Sequence, residues 1–98
     1  MAVDDDVDDV TLASRLALYR ARTGDNAGAR PLIEHALRLA PESLDVQFRA
    51  AMAYELIGER TLALKAVLRS LELGYPRQAI DGEPDLAALR RDPRFPQL

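Results

Sequence analysis

The chain matches itself when it is shifted by 34 residues, and this internal repeat constrains the fold more than any other feature of the sequence. The matched positions are small or apolar: Gly24 with Gly58, Ala29 with Ala63, Ala36 with Ser70, Leu37 with Leu71, Leu39 with Leu73, Ala17 with Ala51 and Leu16 with Ala50. Apolar residues at helical spacing surround them, and a Gly-Asp or Gly-Glu pair interrupts each copy. The repeat therefore predicts two helix–turn–helix units.

The ends of the four predicted helices follow from local signals. The helices of the first unit should run from about Val10 to Arg22 and from about Ala27 to Leu39, and those of the second from about Ser43 to Ile57 and from about Arg60 to Leu73. Ser43, just after Pro41, is a suitable N-cap, and Gly74 is a suitable C-terminal cap in the left-handed conformation.

Pro31 is the residue that disturbs this pattern, because proline lacks an N–H and its ring can break a helix. It could be a helix start, a kink or evidence against the helix. Its counterpart in the second unit is Lys65, which indicates a solvent-facing position. Since Pro31 also lies early in the helix, where few bonds can be lost, we expect an irregular start and a helix that continues.

The repeat length and its small residues resemble the tetratricopeptide repeat (TPR) family, over residues 10 to 75. The residues that match the family pattern are Ala17 and Ala51, Tyr54, Gly24 and Gly58, Ala29, Ala36, Ala63 and Ser70, and Pro41. The sequence departs from the pattern at Arg20, where the family has an aromatic, and at Tyr75, where it has proline. The resemblance implies an all-α fold with two TPR-like repeats, residues 10–41 and 44–75, in a right-handed superhelix. Small residues fit this arrangement because helices joined by a short turn approach closely only where side chains are small.

The tail, residues 76 to 98, predicts a short helical cap. Pro76, Pro84 and Pro93 each suit the first position of a short helix, and Asp92 suits an N-cap. We expect Leu86, Leu89 and Phe95 to cover the open end of the second unit. The ending is similar to segments that close TPR arrays in bacterial regulatory proteins, including some serine/threonine kinases with C-terminal repeats.

Composition narrows the class of protein. Residues 1 to 9 hold five aspartates and no basic residue, so they predict a disordered acidic arm rather than a secretory signal. The remaining residues hold 13 Lys+Arg and 11 Asp+Glu, a net charge of 13 − 11 = +2, which gives no support to nucleic-acid binding. The chain has no cysteine and no apolar run long enough for a membrane span. We expect a cytoplasmic protein that binds neither nucleic acid nor membrane.

Catalytic and metal-binding patterns are absent from the sequence. His35 is the single histidine, and its counterpart Arg69 indicates an exposed helix face rather than a general base. No ligand cluster or phosphate-binding loop accompanies it. We therefore expect no enzymatic activity, no cofactor and no metal.

The remaining hypothesis is a protein-binding groove on the first helices of the two units. Its expected partner-binding residues are Arg15, Leu18, Arg22, Phe48, Arg49, Met52 and Glu55, with Ser14 and Asp45 beside them. Arg15 and Arg49 are 34 residues apart, so stacking should place them side by side, where their planar guanidinium groups suit a carboxylate. The lysine and asparagine positions of TPR domains that clamp chaperone C-termini hold Ser14, Leu18 and Arg49 here, so that clamp is not predicted. The expected partner is a protein or peptide, and the arginines would suit an acidic one. Ordinary surface arginines are the competing interpretation.

Two function classes follow. One is a module that binds a peptide or partner protein in the groove. The other is a structural or self-associating module within a larger bacterial regulatory protein, without its own ligand. Self-association would give a homodimer. A small-molecule sensor or enzyme would need a polar pocket that the sequence does not indicate.

Overall fold

The described part of the chain is entirely helical. The computed structural model describes the backbone of residues 2 to 95 and the side chains of residues 9 to 95. Its helices are α1 (Ala2–Arg22), α2 (Asn26–Leu39), α3 (Leu44–Leu56), α4 (Arg60–Glu72), α5 (Arg77–Asp81) and α6 (Ala87–Arg90), with a 3₁₀ turn at Pro84–Leu86 between the last two. Helix α1 packs on α2, α3 packs on α4, and α1 also packs on α3. Met1 and residues 96 to 98, which belong to the predicted arm and tail, lie outside the described residues.

Helices α2, α3 and α4 begin and end within one residue of the predicted positions, but α1 does not. Its backbone is helical from Ala2, whereas the sequence predicted a helix start near Val10 and a disordered arm before it. Two physical effects favour the longer helix. Aspartates are favourable near a helix N-terminus, and an existing helix gains one hydrogen bond for each residue added.

A glycine ends each of the first, third and fourth helices with the same hydrogen-bonded turn. Gly24 and Gly58 both have φ of 86°, and Gly74 has φ of 104°, which are left-handed values that favour glycine. In each turn the glycine N–H donates to the carbonyl three residues back, and the next N–H donates to a carbonyl five residues back. This is the Schellman motif, and it reverses the chain so that α2 and α4 can return along α1 and α3.

The prediction that Pro31 does not break the helix is confirmed, but the irregular helix start that was also expected is not seen, since α2 begins at Asn26 and Pro31 is its sixth residue. It lies inside α2, exposed to solvent, and the helix continues past it to Leu39. Ser43 is the N-cap of α3, as predicted, because its Oγ accepts a hydrogen bond from the Val46 N–H at 3.3 Å.

The core where the helices cross consists of small residues. Ala17, Ala29, Ala51, Ala63 and Ser70 are each at most 1% exposed. Larger side chains, among them Ile33 and Val67, fill the space beside these contacts and are also buried. Small residues at the crossings thus allow the close helix approach that the repeat predicted.

The tail folds back onto the helices that precede it. Leu86, Leu89 and Phe95 are buried as expected, and Ile80, which the sequence analysis did not single out, is fully buried with them. They belong to the same apolar cluster as Phe48, Met52 and the residues of α4. The helix expected at Pro93 is not formed. Residues 92 to 95 make a turn instead, in which the Phe95 N–H donates to the Asp92 carbonyl at 2.9 Å.

Candidate functional site

Arg15 and Arg49 lie on the rim of one cavity, the arrangement that their 34-residue spacing predicted. The cavity, called here the arginine cavity, has a volume of about 470 Å³. It is formed by the middle of α1, the end of α2, the connection that follows α2 and the N-terminal half of α3. It is lined by Val10, Thr11, Arg15, Leu39, Ala40, Ser43, Asp45, Val46 and Arg49. Apolar walls and two guanidinium groups therefore meet in one concave surface.

A short hydrogen-bond chain holds Arg49 in place. Arg49 Nη1 donates to the Oγ of Ser14 at 3.1 Å, and this Oγ donates to the Thr11 carbonyl at 3.0 Å. Ser14 is buried beneath the cavity, with 3% exposure. Arg49 is half-buried, and its hydrogen bond to the buried hydroxyl of Ser14 fixes the orientation of its guanidinium group. Arg15 is exposed. The remaining donors of Arg49 stay available to a ligand.

Neither arginine of the cavity is neutralised by an ion pair with another described residue. The acidic residue on the cavity wall is Asp45, in the first turn of α3. The lining of the cavity thus carries two guanidinium groups and one carboxylate, an excess of one positive charge.

The predicted apolar members of the groove are not on the surface. Leu18 and Phe48 are each 8% exposed and Met52 is 5% exposed. The expectation that Phe48 and Met52 offer apolar surface to a ligand is therefore corrected: the tail and the end of α4 cover them. Phe48 stacks on Tyr75, with ring centroids 4.3 Å apart and an interplanar angle of 14°. Burial raises the pKa of the Tyr75 phenol, and the negative charge of Asp45 adds to this effect.

Arg22 is occupied by the tail. Its Nη2 and Nε both donate to Oδ2 of Asp85, at 3.0 and 3.3 Å. Asp85 lies in the 3₁₀ turn, 63 residues further along the chain, so this contact ties the tail to the end of α1. The carboxylate that Arg22 was expected to receive from a ligand is here supplied by the chain itself.

Glu55 is likewise held within the molecule. Arg60 Nε donates to Glu55 Oε1 at 2.8 Å and Arg60 Nη2 to Glu55 Oε2 at 2.7 Å, a two-pronged pair. Arg60 Nη1 also donates to Asp92 Oδ2 at 3.2 Å. Of the predicted partner-binding residues, the structure therefore brings Arg15 and Arg49 together at an open surface and places the other five in internal contacts.

A second concave surface, the outer cavity, was not predicted. It has a volume of about 560 Å³ and is lined by Leu37, Pro41, Glu42, Gln47, Tyr54, Leu62, Lys65, Ala66, Leu68, Arg69 and Glu72. Its charges are balanced, and Arg69 pairs with Glu72 at 3.4 Å. The lining of the outer cavity therefore has no excess of either charge. Leu62 and Leu68 could have indicated this cavity in the sequence, because they are apolar residues in the second helix of the second predicted unit.

Two further features that bear on function are a metal-ligand cluster and a membrane-spanning helix, and the described residues form neither. They contain no group of three or more His, Cys, Asp or Glu side chains arranged to hold a metal ion. No helix in the part of the chain that the structure describes combines the length and the apolar character required to cross a bilayer. Fold and site thus define a small all-α protein with an arginine-lined cavity. In comparisons with protein-family models, curated proteins and solved structures, nothing matched the chain.

Proposed function

We propose that the chain is a TPR-like interaction module that binds a carboxylate-bearing peptide or protein segment in the arginine cavity. Three observations support the repeat assignment: the 34-residue register, the identical φ of 86° at Gly24 and Gly58, and the matching contacts of α1 with α2 and of α3 with α4. In this proposal α1 and α3 are the first helices of two stacked repeats, and residues 76 to 95 close the stack.

The observation that carries the binding proposal is the pair of guanidinium groups on one cavity, free of ion pairs with described residues. Arginine donates through a planar fork that matches both oxygens of a carboxylate. Val10, Leu39 and Val46 in the same lining offer apolar contact to a neighbouring side chain of the ligand. The ligand is therefore a short segment with a carboxylate beside an apolar residue. The lining contains no histidine, lysine or cysteine, so binding rather than catalysis is proposed.

The test begins with a displayed library of random hexapeptides, presented with a free C-terminal carboxylate and, in parallel, as amides. Selected peptides are then labelled, and their affinity is measured by fluorescence anisotropy. Selected sequences should carry a free carboxylate or Asp/Glu beside an apolar residue. Arg15→Ala combined with Arg49→Ala should weaken binding by at least about tenfold for each arginine, since a hydrogen bond to a charged group contributes about 1.5–3 kcal/mol.

The matched control removes the same charge elsewhere. Arg38 and Arg91 are exposed and outside the arginine cavity, so Arg38→Ala combined with Arg91→Ala should leave the affinity close to wild type. Arg49→Lys keeps the positive charge but loses the planar guanidinium fork. Its peptide affinity should lie between the affinities of the two double variants. Peptides that bind the Arg15/Arg49 double variant as tightly as the wild type would overturn the proposal.

A structural module without its own ligand is the alternative, and one observation favours it. The tail already shares one apolar cluster with Leu18, Phe48 and Met52 and already pairs with Arg22, so four of the seven expected partner-binding residues have contacts within the chain. If the library yields no peptide whose binding depends on Arg15 and Arg49, this alternative is the better account.

A further inference from the structure

The outer face of α1 carries two large apolar side chains that nothing in the described structure covers. Leu12 is 64% exposed and Tyr19 is 63% exposed. They are seven residues apart, so they lie two turns apart on the same side of the helix, about 10 Å from one another. The opposite side of α1 holds the buried Ala13, Ala17 and Ala21, which face the rest of the core.

The other exposed large apolar side chains differ from this pair. Leu39 and Leu68 occur singly, on the walls of the arginine cavity and the outer cavity. Single exposed leucines are ordinary on a protein surface, whereas an aligned pair on a long exposed helix forms a stripe suited to contact another helix. Half-buried Leu16 lies between Leu12 and Tyr19 and extends this stripe.

The charges on α1 are arranged by sign. Asp9 precedes the apolar stripe, and Arg20 follows its centre. Arg20 is eleven residues after Asp9, and the rotation about the helix axis over eleven residues is within about 20° of three full turns. Both side chains therefore lie along one edge of the stripe. Arg15 lies on the other edge, where it lines the arginine cavity. Both Asp9 and Arg20 are exposed, with intramolecular partners His35 at 3.3 Å and Asp25 at 2.8 Å.

From this pattern we infer that the outer face of α1 binds α1 of a second copy of the chain in antiparallel orientation. A two-fold axis near Leu16 places Leu12 against the partner copy's tyrosine of the same stripe. The same axis sets the acidic end of this edge, at Asp9, against the basic end of the same edge, at Arg20, in the other helix. A parallel pairing would instead set this edge against the opposite edge, which carries Arg15, and would leave Asp9 about 9 Å along the helix axis from that arginine, so charge favours the antiparallel arrangement. This interface leaves the arginine cavity outside the contact, and it does not depend on the proposed peptide binding.

The first experiment measures mass against concentration by sedimentation equilibrium or light scattering, starting from a monomer of 10.8 kDa. A contact between single helices is at the small end of stable interfaces, so we expect a dissociation constant on the order of 100 µM. Leu12→Glu and Tyr19→Glu should each weaken dimerisation by at least about tenfold. Leu68→Glu, which adds the same charge to an exposed leucine off α1, should not. Circular dichroism of each variant checks that the fold is retained.

The second experiment tests orientation by charge reversal. Asp9→Arg and Arg20→Glu should each impair homodimerisation, and mixing the two variants in equal amounts should restore a dimer, because both edges then carry opposite charges. The effect should weaken at high salt, where exposed charges are screened. A wild-type chain that stays monomeric up to about 1 mM, or a mixture that fails to dimerise better than its components, would overturn the inference.

Discussion

Single residues determine where the helices begin and where the tail ends. The Asp25 carboxylate accepts a hydrogen bond from the Gly28 N–H at 2.9 Å and an ion-pair bond from Arg20 at 2.8 Å, and so caps α2. A Cβ at position 28 would overlap this carboxylate, which explains why glycine stands there inside a helix. The sequence alone did not indicate why position 28 requires glycine, because Asp25 and residue 28 come into contact only once the helix cap has formed.

Asp92 has a comparable role at the end of the tail. Its Oδ1 accepts from the backbone N–H of Arg94 at 2.9 Å and from Arg94 Nε at 3.1 Å. The Arg94 side-chain and backbone hydrogen bonds hold the pKa of Asp92 well below its ordinary range, and Arg60 adds to the effect. Arg60 forms ion pairs with both Asp92 and Glu55. Through its pair with Arg60, the Asp92 carboxylate joins the last turn of the tail to the start of α4.

The depressed pKa of Asp92 predicts a dependence of stability on pH. A lowered folded-state pKa contributes stability above the unfolded value near 4, and the contribution is lost as pH falls from there towards the folded value. Asp92→Asn should therefore be less stable than the wild type at pH 7, and the difference should shrink below about pH 4. Urea unfolding at pH 7, 4 and 2.5 measures this. Asp81→Asn, at an exposed carboxylate 3.7 Å from Arg77, is the control and should show a smaller effect at pH 7. A difference for Asp92→Asn that stays constant across this range would contradict the prediction.

At the scale of elements, the tail completes the core that two helical hairpins leave open. Two hairpins that pack side by side leave the outer face of the second hairpin uncovered, as the last unit of a helical stack does. Here Ile80, Leu86 and Leu89 are each fully buried in the cluster that contains Phe48 and Met52. Arg90 fixes the path of the tail, because its Nη1 donates to the carbonyls of Ile80 and Glu83 at 2.7 and 2.8 Å.

Removing the tail should therefore destabilise the whole chain. Deletion of residues 76 to 98 uncovers the apolar face of α3 and α4, so Tm should fall and association should increase. Phe95→Ala alone should cost about 3 kcal/mol or more, because Phe95 is 3% exposed and its ring also faces the Arg77 guanidinium at 5.1 Å. Phe95→Leu, which leaves a smaller cavity, should cost less. Denaturant unfolding measures both variants, and a wild-type Tm after the deletion would show that the tail does not cap the core.

At the scale of the whole molecule, one apolar cluster runs through both hairpins and the tail. It contains Ala17 and Leu18 of α1, Ile33 of α2 and residues of every later segment as far as Phe95. The Phe48–Tyr75 stack and the Arg22–Asp85 pair connect distant parts of the chain across this cluster. A smaller cluster of Ala13, Ala36 and Val46 adjoins it through Leu32 and Leu37, which pack against both clusters, so the hairpins and the tail should not unfold independently.

The expected consequence is a single cooperative unfolding transition, as is usual for domains of this size. In a Tyr19→Phe variant the remaining tyrosines are Tyr54 and Tyr75, both packed against the cluster, so tyrosine fluorescence then reports on tertiary packing around the tail. The fluorescence midpoint in urea should coincide with the midpoint from far-ultraviolet circular dichroism. A fluorescence change at lower urea than the loss of helix would mean that the tail detaches first.

The sequence predicted the helices well where local chemistry decides them. Glycine at a left-handed position, serine at an N-cap and alanine at a crossing each act through their own backbone or immediate neighbours, so Gly24, Ser43 and Ala51 could be interpreted without a structure. The length of α1 was missed because the aspartates of residues 1 to 9 are compatible both with a disordered acidic segment and with the start of a helix.

The sequence by itself predicted the helical class and the bounds of α2, α3 and α4 to within one residue, because local signals decide them. The 34-residue spacing of Arg15 and Arg49 also pointed to one surface, and both residues line the arginine cavity. Only the tertiary structure decided which groove residues are accessible. Leu18, Phe48 and Met52 were expected on the groove surface, yet they are buried in the apolar cluster that also contains residues of the tail. Arg22 pairs with Asp85, which is 63 residues further along the chain, and Glu55 pairs with Arg60 at the start of the next helix. Periodicity specifies which side of a helix a residue occupies, whereas the path of a non-repeating tail depends on contacts between distant residues that no local pattern encodes.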